Sequence, residues 1–239
     1  MVCSFTDPEK IKEWIELCKL MKEMDTVVHF HFTPDDLSIQ MKHTSNRSIL
    51  DMNFPSTWFS SYEWKETDLY LSTDSLLNIF SRYSGEKIIS MESEKHYLLV
   101  KCFHEKHNKH FSIPLLYHPQ KPVCVESERE IEFKVDPSLF YTICKELYCF
   151  DKYVFFNLKN EFFQMSAQRE GKMMVEVQPA MIHRETPKNY EKTFELYYLM
   201  IFLKYSVLYP ILNVHLGHLL SFSVEKEYTL HYYVCSLKS

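Results

Sequence analysis

Glycine is nearly absent, with 3 residues in a chain of 239. Phosphate-cradling loops and dinucleotide-binding turns need several glycines close together, so that the backbone can approach the ligand; those nucleotide-binding classes are excluded. Cysteine is present but not patterned: 7 residues, an odd number, with no C-x-x-C spacing. Reduced thiols in an intracellular protein are expected rather than a disulfide framework. An excess of basic charge is also missing. Lys and Arg number 27 against 32 Asp and Glu, for a net charge of -5, so the chain as a whole is no basic wrapper of nucleic acid, although local basic patches remain open. Long apolar runs are lacking too. The most lipid-like segment, residues 196–212 (LYYLMIFLKYSVLYPIL), is interrupted by Lys204 and Pro210 and reads as a buried helix followed by a strand. The opening MVCSFTDPEKIKEW holds no apolar run of signal-peptide type. No G-x-S-x-G, H-E-x-x-H, Walker or Rossmann pattern occurs, so the chain reads as a non-enzyme with no cofactor.

What is abundant is core material. Apolar residues make up 46% and aromatics 15%, enough for packed domains and against disorder. Residues 9–24 carry Ile11, Trp14, Ile15, Cys18 and Met21 at helical spacing, with Asp7 placed to cap and Pro8 at the first helical position. VVHFHF and LSIQM, joined by a Pro-Asp-Asp turn, read as a hairpin, and residues 48–54 as a further strand. A strand opening at Leu69 gives way to a helix over residues 74–83, then strands at 88–92, 97–103 and 111–116. Asp74 and Asp136, like Asp7, precede helices, where capping explains them. Residues 117–130 (YHPQKPVCVESERE) have two prolines, many charges and no periodicity, the marks of an extended connector.

After the connector the order begins again. A strand at 131–135, a helix at 137–150, a hairpin, a strand at 173–178, a polar loop at 185–192, a helix through Val207 and three terminal strands follow. LSIQMKHTSNRSIL (37–50) aligns with FFQMSAQREGKMMV (162–175), and the segment from Phe103 aligns with that from Ser223. The expectation is an α+β chain of two duplicated domains of about 110 residues each, 1–116 and 131–239, joined by the connector 117–130.

At this point a resemblance enters. Residues 192–238, with an aromatic-rich helix containing Lys204 and a tyrosine pair, Tyr232 and Tyr233, before the tail, resemble the C-terminal half of the eukaryotic-type DNA sliding clamp, proliferating cell nuclear antigen. Residues 37–50 resemble the family's first-domain segment, and the likeness in element order covers the whole chain. The resemblance implies two processivity-fold domains with antiparallel sheets and paired helices, three subunits closing a ring around duplex DNA. It also implies a protein of the nucleus, or of a viral replication compartment for a divergent viral clamp. A checkpoint-type clamp subunit, or a viral replication or transcription accessory, shares the fold and remains an alternative. The tail Cys-Ser-Leu-Lys-Ser departs from the family's more acidic ending.

By that resemblance the helices line a channel in which Lys10, Lys12, Lys19, Lys22, Arg82, Lys87, Lys145, Lys152 and Lys204 meet double-stranded DNA without reading sequence. The partner-peptide pocket, which takes short motifs from a DNA polymerase and other partners, falls on Met41, His43, Thr44, Leu115, Tyr117, Pro119, Val123, Tyr233, Val234 and Cys235. A clamp loader is a further implied partner. Subunit contacts of a homotrimer fall on His110, Phe111, Ser112, Ile113 and Leu115 in one half and on Met173, Met174, Val175 and Val177 in the other.

The segment FHEKHNKHF (103–111) sets His104, His107 and His110 three apart. A zinc site would require a fourth ligand or a supporting shell, and neither is visible in the neighbouring sequence. The segment reads as a solvated hairpin tip, with no metal assigned.

Overall fold

A computed structural model of the chain describes residues 2–82, 85, 87–117, 123, 125, 131–159, 162–169, 171–178, 182–184 and 190–237. Contacts divide the chain into two compact units. The first holds Met1–Thr44, Leu50–Val123 and Glu225–Leu230; the second holds Ser45–Ile49, Cys124–Val224 and His231–Ser239.

In chain order the first half runs β1 (Val2–Phe5), α1 (Pro8–Met24), β2 (Val27–Phe32), β3 (Asp36–Lys42), β4 (Ser48–Pro55), β5 (Ser61–Glu63), β6 (Thr67–Ser72), α2 (Thr73–Phe80), β7 (Ile88–Ser93), β8 (Tyr97–Phe103) and β9 (Asn108–Pro114). The second half repeats it as β10 (Ile131–Val135), α3 (Pro137–Tyr148), β11 (Tyr153–Lys159), β12 (Phe162–Gln168), β13 (Lys172–Val177), β14 (Ile182–Arg184), β15 (Tyr190–Glu195), α4 (Leu196–Ser206), β16 (Leu212–Leu216), β17 (Leu219–Glu225) and β18 (Thr229–Cys235). The repeat extends to the sheets. The order β5-β1-β7-β8-β9 in the first half matches β14-β10-β16-β17-β18 in the second, and β4-β3-β2-β6 matches β13-β12-β11-β15. The duplicated α+β architecture is thus realised strand for strand, and the two segment alignments fall on equivalent elements, β3 with β12 and the β8–β9 hairpin with β17–β18.

Local sequence explains these elements. Asp7 caps α1 by accepting from Glu9 N, and Asp136 caps α3 by accepting from Ser138 N and Leu139 N, each followed by proline in the first turn. Asp74 is not a cap: Ser72 fills that position on α2, and Asp74 sits in the first turn, where its charge suits the helix N-terminus. The expected polar loop at 185–192 is strand from Tyr190 onward, because β15 pairs with β11 up to Leu158↔Tyr190; residues 185–189 lie outside the described residues. So does Tyr83, at the end expected for α2.

The first unit's core is an aromatic cluster. Trp14 lies 5.4 Å from Phe5, 5.6 Å from Phe54 and 6.2 Å from Phe80, centroid to centroid. Each such ring removes about 150–250 Å² from water. That explains why residues 225–230, late in sequence, belong to this unit. Tyr228 is buried, stacks on Phe54 at 4.6 Å, and donates its hydroxyl to Glu13 at 2.8 Å. The second unit is built likewise. Phe202 stacks on Tyr232 at 4.9 Å, and the Tyr232 hydroxyl donates to the Tyr198 carbonyl at 2.8 Å. Cys18 and Cys144 are buried on α1 and α3, and burial pushes both thiols up, so they act as small apolar residues. Among the described residues, no helix is long and apolar enough to cross a membrane.

Candidate functional site

Three sets of residues are candidates for a functional role. The first is two of the six sheet ends among the described residues, the ones on which the expected subunit contacts fall. β9 closes the five-stranded sheet of the first unit, and β13 ends the four-stranded set of the second; neither has a further strand beyond it among the described residues. On β9, His110 and Ser112 are exposed and Phe111 is half-buried, whereas Ile113 is fully buried and faces its own core. On β13, Met174 is 52% exposed, while Met173, Val175 and Val177 are half-buried.

Beside β13 runs an apolar groove of about 360 Å³. Val177 forms one side, α3 supplies Leu139, Phe140 and Ile143, and Pro210 and Ile211 complete it. Leu139 and Ile211 stand 52% and 53% exposed at its rim, an unusual placement for large apolar side chains beside an unpaired edge. Sequence reasoning did not find these two. Their only signal was that Leu139 stands off the buried stripe Phe140, Ile143, Cys144 and Leu147.

The second set is the basic residues. Lys10 is only 23% exposed; it pairs with Glu227 and donates to the Trp58 carbonyl at 3.0 Å, which makes it a structural strut rather than a surface cation. Lys12 pairs with Glu9 at 2.9 Å, Lys19 with Glu16 at 2.5 Å, Lys22 with Asp74 at 2.6 Å and Lys87 with Glu105 at 2.7 Å. Arg82 is exposed at the end of α2. Lys145, Lys152 and Lys204 are exposed on the second unit, over Tyr141, Tyr153 and Tyr205 respectively. A hydrogen bond with Tyr153 and that group's charge, then the charges of Glu195 and Asp151, push the Lys152 pKa up. The four helices together carry six lysines against six carboxylates, four of each on α1 alone. The helices are thus balanced in charge.

The third set is the expected peptide pocket. Met41 is 2% exposed and Val234 is fully buried, so both face the core and can only support a surface. Burial lowers the His43 pKa, with Asp25 opposing, and Thr44 is exposed. Leu115 N donates to His96 O at 3.0 Å and Leu116 N to Tyr70 O at 2.8 Å. Tyr117 is 95% exposed. Val123 is clasped by Gln40, whose Nε2 donates to Val123 O at 3.0 Å and whose Oε1 accepts from Val123 N at 2.6 Å. Tyr233 is half-buried against His231, and Cys235 N donates to Arg47 O at 2.9 Å. Pro119 lies outside the described residues.

The hairpin tip at 104–107 closes through His104 N donating to His107 O at 3.0 Å, with the two rings stacked at 4.8 Å. Elsewhere, ligand atoms of His29, His31 and Asp68 lie within 4.8 Å of one another.

Duplicated units of this topology define the processivity fold of DNA sliding clamps, and this chain has that fold. The sequence matches no protein-family model and no curated protein. Among solved structures, PCNA from Thermococcus kodakaraensis superposes with a TM-score of 0.89 at 12% identity, covering 99% of each chain. The PCNA2–PCNA3 complex from Sulfolobus tokodaii gives 0.86 at 14% identity, also covering 99% of each chain. At such identities the shared property is the fold.

Proposed function

We propose that this chain is a sliding-clamp subunit: part of a ring that encircles duplex DNA without reading sequence and tethers a polymerase and other DNA-processing proteins. The observation that carries the reading is the pair of unlike sheet ends, β9 on one unit and β13 on the other, the second flanked by an apolar groove. Two different edges on one chain suit a heterologous, head-to-tail interface, the kind that closes into rings. Strand pairing between subunits would also remove the aggregation hazard of both edges. Partner peptides would dock beside the connector near His43, Thr44, Leu115, Tyr117 and Val123.

The balanced charge of the helices favours a second form of the same reading, a ring shared with other clamp chains that bring more positive walls. Six lysines against six carboxylates give weak net attraction for phosphate. Light scattering on the purified chain separates the two: three copies alone support a homotrimer, and one copy that assembles only with other clamp subunits supports the mixed ring. Failure to retain a polymerase selectively on circular primed DNA in either assembly would overturn both.

A further inference from the structure

The outward faces of β2 and β6 carry a cluster that the equivalent strands of the second half lack. His29 and His31 are two apart on β2 and so share a face, and Asp68 on β6 is the register partner of His31. Asp68 Oδ1 lies 2.6 Å from His29 Nε2 and 2.9 Å from His31 Nδ1. All three ligand atoms fall within 4.8 Å of one another. The His29 ring is fixed by Tyr70, stacked at 4.5 Å with planes 10° apart. Burial works to raise the Asp68 pKa, but its hydrogen bonds with His31 and His29 outweigh that and hold it below the usual carboxylate value.

We propose that His29, His31 and Asp68 form a binding site for a divalent transition-metal ion of the zinc class, with a fourth position open to water or an incoming ligand. Two imidazoles and one carboxylate suit such an ion, whereas calcium and magnesium favour all-oxygen sets. Tetrahedral zinc with bonds of about 2.0–2.1 Å sets its donors about 3.3 Å apart. The two nitrogen–oxygen separations need open by about 0.7 and 0.4 Å, and the two nitrogens, within 4.8 Å of each other, close by up to about 1.5 Å. The site also sits where the connector is moored. Gln40, which clasps Val123, is the strand partner of His29, and Tyr70, which stacks on His29, accepts from Leu116 N. A bound ion would stiffen the strands that hold both attachments.

The duplication supplies a control. β11 and β15 pair Phe155↔Thr193 and Asn157↔Glu191 where β2 and β6 pair His29↔Tyr70 and His31↔Asp68. Phenylalanine and asparagine are thus tolerated at these registers of the same fold, and His29→Phe/His31→Asn is a variant built to fold. The experiment titrates Zn²⁺, and separately Co²⁺, into chelator-stripped full-length protein, reading heat and the visible absorption of four-coordinate Co²⁺. One ion per chain is expected, with affinity at least tenfold lower in His29→Phe/His31→Asn and in Asp68→Asn, and an unchanged melting temperature for the metal-free double variant. The control His104→Ala/His107→Ala should keep the site. No saturable binding, affinity and spectrum unchanged in His29→Phe/His31→Asn, or loss of binding only in the hairpin-tip variant would overturn the proposal.

Discussion

Leu139 tests the assembly reading most economically, because it does little for the isolated subunit. It stands 52% exposed on the first turn of α3, at the rim of the groove beside β13. Fully burying a leucine contributes about 1.5–3 kcal/mol, so covering the exposed half contributes about 1 kcal/mol to an interface there. Leu139→Ala should then weaken each subunit contact about fivefold. Leu139→Asp adds the cost of desolvating a carboxylate, bringing the loss to about 2–3 kcal/mol, or roughly 30- to 150-fold. The folded subunit should be unharmed, since an acidic residue in a helix's first turn is favourable and exposed substitutions usually stay within about 0.5 kcal/mol. Light scattering across a concentration series, with thermal melting in parallel, reads both effects. An assembly curve unmoved by Leu139→Asp would refute the placement of the interface. A collapse in melting temperature would instead mean that Leu139 serves the core.

Two further outcomes follow from the same structure. If the second unit's cations face phosphate, Lys145→Ala/Lys152→Ala should weaken retention on DNA and lower the salt slope by about 0.9 for each phosphate no longer neutralised; Lys12→Ala, whose charge is already matched by Glu9, should change little. Filter binding across a salt series distinguishes them, and equal effects would contradict the pairing argument. Tyr232→Phe removes the buried hydroxyl that donates to the Tyr198 carbonyl, so unfolding in urea should show a loss of about 1–2 kcal/mol with an unchanged slope; no shift would mean that bond is energetically idle.

Much of the fold was legible because it is written in local patterns. Ile11, Trp14, Ile15, Cys18 and Met21 mark α1 by spacing alone, Asp7 and Asp136 announce their helices, and the shared Gln-Met segments give the duplication. Short strands were not legible: β1, β5 and β14 are three or four residues long and gain their identity only from the partners they pair with. The functional residues suffered most from non-local pairing. Lys10 and Glu227 are far apart in sequence, as are Lys22 and Asp74, so no helix wheel reveals that these cations are spoken for. Met41 could have been read correctly, since Leu37, Ile39 and Met41 alternate onto one buried face. Likewise the His-Phe-His pattern of β2 places two imidazoles on one side of a strand, but Asp68 joins them only through the β2–β6 register.

The central claim is that β9 of one subunit meets β13 of the next, and mixing two broken edges tests it most directly. Phe111→Asp damages β9 and leaves β13 whole; Met174→Asp does the reverse. A head-to-tail interface predicts that each variant alone is monomeric, and that an equal mixture yields a species of two chains and nothing larger, because one intact pair of edges remains. If either variant alone assembles like the unaltered protein, or if the unaltered protein assembles and the mixture stays monomeric, the two strands do not join the subunits.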